Sequence, residues 1–98
     1  RYIKESEGWA TEVDDKQILA AQLELAKEAG IFVEPAAACA WAALTVDSEM
    51  LIKRFGANVN VCTLLTGSGF KDMAVFQGTV SIPEAIENSV EAVEKRFK

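Results

Sequence analysis

The sequence contains no histidine. That removes Ser-His and Cys-His nucleophilic catalysis outright, and it takes away one of the usual zinc ligands. Cysteine is scarce as well: Cys39 and Cys62 are far apart and set among apolar neighbours. They read as buried free thiols of a reducing, cytoplasmic compartment rather than as a disulfide, and no metal site is expected. Long hydrophobic runs are missing. The tract from Ile31 to Val46 is broken by Glu34 and Pro35 and falls short of the roughly 20 residues that a membrane span requires. No basic segment followed by a cleavable apolar stretch marks a signal peptide. Positive charge is in the minority, with ten Lys and Arg against fifteen Asp and Glu and a net charge of −5. Neither nucleic acid nor an anionic membrane is therefore expected as a partner. Lys95, Arg96 and Lys98 do cluster, but at a place where they complement the C-terminal end of a helix dipole.

What remains is apolar and periodic. Half of the 98 residues are hydrophobic, enough for one domain and too few for two. In "DKQILAAQLELAKEA", Ile18, Ala21, Leu25 and Ala29 share a helical face, which Leu19, Leu23 and Ala26 widen. Asp14 with Gln17 forms a capping box ahead of it, and Gly30 stands where a C′ residue belongs. A second helix follows Pro35. It begins apolar on every side, becomes amphipathic near Asp47 and ends at Gly56, and so fully apolar a start asks for more protein around it. In "NVNVCTLLT", Val59, Val61 and Cys62 to Leu65 form a nearly continuous apolar run, the pattern of a strand covered on both faces. A last helix is expected from Ser81, with Pro83 in its first turn, Glu84 closing a capping box, and Ile82, Ile86, Val90, Val93 and Phe97 as its stripe. Glu91 with Lys95 and Glu94 with Lys98 support its polar face. "GWATEV" and "AVFQGTV" read as short strands.

This alternation indicates an α/β architecture, about three helices around a short, mostly parallel sheet. The opening "RYIKESEG" reads like the tail of a helix whose beginning is absent. The chain is expected to be a single partial domain, residues 1–98, of something larger.

The turn "LLTGSGFKD" poses the chemical question. It lacks the G-x-x-x-x-G-K-[ST] of a phosphate loop and the third Gly of a dinucleotide fingerprint. By itself it is a tight turn. In order along the chain, however, stand Gly8 to Ile18, then "GIFVEPAAA" at Gly30 to Ala38, then "LTGSGFKD" at Leu65 to Asp72. This order and spacing resembles the C-terminal part of the tryptophan-synthase-β superfamily of pyridoxal-phosphate enzymes, fold type II, and within it the threonine synthase branch. The likeness is close from Gly8 to Asp72 and looser to Phe97.

The resemblance implies a three-layer fold-type-II domain, a C-terminal portion of the large cofactor-binding domain, with pyridoxal 5′-phosphate as cofactor. Thr66 matches the family's hydroxyl that hydrogen-bonds the pyridine nitrogen. A neutral partner there does not force protonation of the ring, which makes the ring a milder electron sink. Gly67 lets the backbone pass close to the ring. Glu34 matches the acid of the "E-P" segment near the ring; read from the residues alone, it is equally a carboxylate at a helix N-terminus. No catalytic residue is expected within these residues, because the lysine and the Gly-rich phosphate loop of the family lie upstream. Lys71 and Asp72 match the family's "K-D" and read as structural, Trp9, Trp41 and Phe70 as core or interface aromatics. Cys39 has no base beside it in an Ala-rich helix. Ser68 stands where many threonine synthases carry His, and Phe70 where they carry Leu.

The parent activity implied is a lyase that converts O-phosphohomoserine and water to threonine and phosphate, in a homodimer that includes the remainder of the enzyme. This segment alone is expected to be inactive. Alternatives within the class are serine/threonine dehydratases and cysteate-synthase-like relatives; outside it, a stand-alone interaction module sharing the subfold.

Overall fold

The computed structural model describes residues 1–78, 80–81 and 83–98. Its best-formed element is α2, Asp15–Ala29, which follows a single helical turn, α1, at Tyr2–Glu5. Both halves of the α2 capping box are present. The Asp14 carboxylate accepts from the Gln17 amide at 2.8 Å, and the Gln17 side chain accepts from the Asp14 amide at 2.8 Å. Gly30 ends the helix in the left-handed region at φ 66°, where a Cβ would be strained.

The second helical stretch is two helices, α3 at Pro35–Val46 and α4 at Ser48–Phe55. Pro35 occupies the first turn of α3, where its missing N–H leaves no bond unmade. The break falls at Asp47, whose ψ of 3° lies outside the helical well. Thr45 contributes to it by turning its hydroxyl back onto the Trp41 carbonyl at 3.1 Å, a bond that bends helices.

The core lies between α2 and α3. Ala21, Leu25, Val33, Ala37, Ala38 and Ala42 are buried there, and Val13, Ile18, Trp41 and Leu65 pack against them. Four of these six buried residues are alanines, so the helix backbones approach closely but little apolar volume is enclosed. Gln22, which stands at a core position of α2, is fully buried as well.

Beyond α4 regular structure thins out. Among the described residues no β-strand is formed; the single β-bridge joins Val33 and Ser68 in antiparallel sense. Residues 58–66 pair with no strand, and Val61, Cys62 and Leu64 are exposed. The expected burial of Cys62 is thus not found, while Cys39 is half-buried; both are free thiols. Residues 8–13, read above as a strand, carry no ladder. In the stretch 74–80, residue 79 lies outside the described residues, and Met73–Phe76 forms a 3-10 turn.

The last helix, α5, spans Val90–Phe97 and does not start at Ser81 as the capping pattern suggested. Ile82 lies outside the described residues, and 83–87 are not helical. Ser89 is the working cap, accepting from the Ala92 amide at 3.2 Å. Pro83 to Asn88 are exposed, so burial does not support a longer helix that is marginal by itself. Val90, Val93 and Phe97 face solvent, and Lys98 pairs with Glu94 at 3.2 Å.

Candidate functional site

Two segments far apart in sequence meet at the Val33–Ser68 bridge. The Glu34 amide donates to the Gly67 carbonyl at 3.0 Å, and the Gly69 amide donates to the Phe32 carbonyl at 3.1 Å. At both glycines a side chain would meet crowding rather than an unfavourable backbone angle. A Cβ on Gly67 would overlap the Glu34 carboxyl group and lie 2.6 Å from its Cγ. A Cβ on Gly69 would meet the Phe32 ring at 2.6–2.7 Å. Phe32 in turn makes an edge-on contact with Phe70 at 5.1 Å between centroids.

The bridge therefore brings two of the three residues singled out in the sequence together. Glu34 is half-buried at the N-terminus of α3, where its carbonyl accepts from the Ala37 and Ala38 amides. Its side chain makes no capping bond and lies over Gly67 instead. Thr66, one residue before Gly67, is exposed, and its hydroxyl has no partner among the described residues. A neutral hydroxyl on an open edge can donate a hydrogen bond to a pyridine nitrogen, whereas the Glu34 carboxylate over Gly67 can only accept. Ser68 accepts from the Phe70 amide at 3.4 Å and opens a 3-10 turn over Gly69–Lys71. Lys71, its last residue, and Asp72 after it are both exposed.

A second polar cluster surrounds Asp47. Its Oδ2 accepts from the Trp9 indole at 2.8 Å and from the Thr11 hydroxyl. These two bonds, the hydroxyl's foremost, hold the Asp47 carboxyl below the usual carboxylate range. The Arg54 guanidinium lies 5.4 Å from the Trp9 ring and 5.0 Å from the Phe55 ring, and it donates to the Glu7 carbonyl at 3.0 Å. An open cleft of about 430 Å³ runs beside this cluster, lined also by Leu44, Leu51 and Val61 to Leu64. It includes none of Glu34, Thr66 or Gly67, and its walls are mainly apolar. Among the described residues no group of acidic or thiol side chains is arranged to hold a metal ion, and no helix is long and apolar enough to cross a membrane.

Sequence reasoning passed over Gln22, Phe32 and Asp47. Gln22 was the most legible of them. It stands with Ile18, Leu25 and Ala29 at the i, i+4, i+7, i+11 spacing of a core stripe, so a polar side chain there had to be buried.

The sequence profile of the family described as "Pyridoxal-phosphate dependent enzyme" matches residues 1–67. The chain belongs to that family. It is 35% identical over 91 residues to a threonine synthase of Methanosarcina acetivorans, a match that covers 93% of this chain and 22% of the relative. It is 38% identical over 82 residues to a threonine synthase of Halalkalibacterium halodurans, covering 84% of this chain and 23% of that relative. The resemblance read from "GIFVEP" and "LTGSGFKD" is thus upheld at the level of the family and its threonine-synthase-like members. The chain spans less than a quarter of the length of these relatives.

Proposed function

We propose that this chain is part of a pyridoxal-phosphate-dependent lyase of the threonine synthase type and builds the pyridine-ring side of its cofactor site. The observation that carries the reading is the antiparallel pairing that lays Glu34 against Gly67 beside the exposed Thr66 hydroxyl. Pyridoxal phosphate, when bound, supplies the electron sink for chemistry at the α-, β- and γ-carbons of an amino acid. Thr66 donates or accepts a hydrogen bond at the ring nitrogen without placing a full charge there. Gly67 keeps the turn narrow, and the Glu34 carboxylate flanks it with negative charge. The substrate assigned is O-phosphohomoserine, converted with water to threonine and phosphate, which the resemblance of the motifs implies; the two relatives carry the name threonine synthase. The lysine that holds the cofactor and the loop that holds its phosphate are assigned to the remainder of the protein, so residues 1–98 alone are inactive.

The same reading extends to architecture. Residues 58–66 serve as a strand of a mostly parallel sheet whose neighbours come from the rest of a three-layer α/β domain. Their exposed apolar side chains, Leu64 at 76% among them, support this. The complete enzyme is assigned as a cytoplasmic homodimer.

The test uses the full-length protein carrying this segment, loaded with pyridoxal phosphate. Phosphate release and threonine formation from O-phosphohomoserine are the expected outcomes, and Thr66→Ala is expected to weaken cofactor retention by about tenfold. Deamination of serine or threonine in place of phosphate release would move the assignment to the dehydratases. Retention and turnover unchanged in Thr66→Ala would remove the role given to that hydroxyl.

A further inference from the structure

Gln22 is completely buried, with 0% of its surface exposed, on the face of α2 that meets α3. Its Nε2 donates to the Val33 carbonyl at 2.8 Å. Its Oε1 is buried with no hydrogen-bond partner among the described residues. The opposite amide orientation would set Oε1 against that carbonyl, acceptor facing acceptor, so the direction of donation is determined. A thioether or aliphatic side chain of the same length would fill this space and remove the unpaired Oε1, but it would leave the Val33 carbonyl without its donor. The amide is therefore kept for the bond to Val33.

That bond has a consequence one step further on. The Val33 carbonyl and the Glu34 N–H belong to a single planar peptide unit, so fixing one end orients the other. That N–H is the donor to the Gly67 carbonyl at 3.0 Å. Gln22, the Val33–Glu34 peptide and Gly67 therefore form one hydrogen-bonded row that starts inside the α2–α3 core. It ends on the residue next to Thr66. Bonds aligned in this way polarise and reinforce one another in a dry interior. Phe32 and Gly69 close the adjacent bond of the same pairing at 3.1 Å, so the row has a second fixed point beside it.

From this geometry we infer that Gln22 is a positioning residue for the cofactor pocket. It sets the Val33–Glu34 peptide, and through that peptide the placement of Glu34 and the Thr66–Gly67 turn. The inference rests on the assignment of Thr66 to the pyridine nitrogen, and its test separates the two.

The experiment compares full-length protein with its Gln22→Met variant, which keeps the side-chain length and removes both amide atoms. Pyridoxal phosphate affinity by equilibrium dialysis, the fluorescence band of the bound cofactor, and Tm are measured together. The expected result is a five- to tenfold weaker affinity, roughly the worth of one hydrogen bond, with a shifted band and a Tm within a few degrees of the parent. Gln22→Asn, too short to reach Val33, is expected to behave the same way, and it decides the matter if Gln22→Met does not fold. A lowered Tm with affinity and band unchanged makes Gln22 a packing residue and overturns the inference alone. Parent protein that binds no pyridoxal phosphate overturns the assignment of Thr66 and this inference together.

Discussion

Gly67 and Gly69 are two residues apart and make room for different neighbours. At Gly67 the intruding Cβ would strike the mobile end of Glu34, a carboxyl group that can swing aside. At Gly69 it would strike the Phe32 ring, which is half-buried and held edge-on to Phe70. Gly69→Ala is therefore the costlier change for folding, about 1–3 kcal/mol as overpacking, and Gly67→Ala costs less while displacing the carboxylate. Urea melts of the two variants should rank them in that order; equal losses would mean that the ring yields as easily as the carboxyl. Asp47 gives a pH-dependent counterpart. Its folded-state pKa is lowered by the Thr11 hydroxyl and then the Trp9 indole. Its contribution is thus complete above the unfolded value of 3.8 and is lost as pH falls through the lower folded value. Acid titration of Trp9 fluorescence in a Trp41→Phe background should show the segment holding Trp9 at neutral pH and detaching only in strong acid. Asp47→Asn should remove that acid limb.

Among the elements, those with a private signal were legible and those with shared signals were not. Asp14, Gln17 and Gly30 bracket α2 with no rival nearby, and Pro35 admits no helix start other than its own. For α5 the capping pattern pointed to Ser81 with Glu84, whereas the helix is capped at Ser89, and Pro83 to Asn88 before it are exposed. Ser89→Ala should then weaken α5 by about 1 kcal/mol, seen as reduced helical chemical shifts at 90–97, while Ser81→Ala leaves those shifts alone. The pairing of Phe32–Glu34 with Gly67–Gly69 could not be read from periodicity at all, because contacts this distant in sequence leave no local trace. Each half was visible as a motif, and the resemblance placed both near one ring. Their mutual hydrogen bonds, and the buried Gln22 behind them, came only with the fold.

At the scale of the molecule, size and shape disagree. A chain of 98 residues packed as a domain has a radius of gyration near 13 Å, whereas this one measures 18.4 Å and extends over 60 × 29 × 19 Å. Its accessible surface is 8178 Å², against about 5,500 Å² for a compact protein of its mass. The surplus is apolar in the places that matter: Phe97 is 82% exposed and Phe70 76%. A core composed largely of alanine cannot offset that exposure. Expressed by itself, the chain should self-associate in sedimentation equilibrium, with weight-average mass rising with concentration. A monomer that unfolds in one cooperative step would instead favour the stand-alone module.

The exposed thiol of Cys62 sits within the stretch 61–64 that lines the open cleft, whereas Cys39 is half-buried in α3. These two sulfurs make the molecule its own footprinting probe. A thiol reagent should modify Cys62 within the isolated chain well ahead of Cys39. In the complete protein, if residues 58–66 are enclosed between neighbouring strands, that order should be erased or reversed. The reaction rate at one sulfur then reports, without any substitution, whether the edge left open here has been closed.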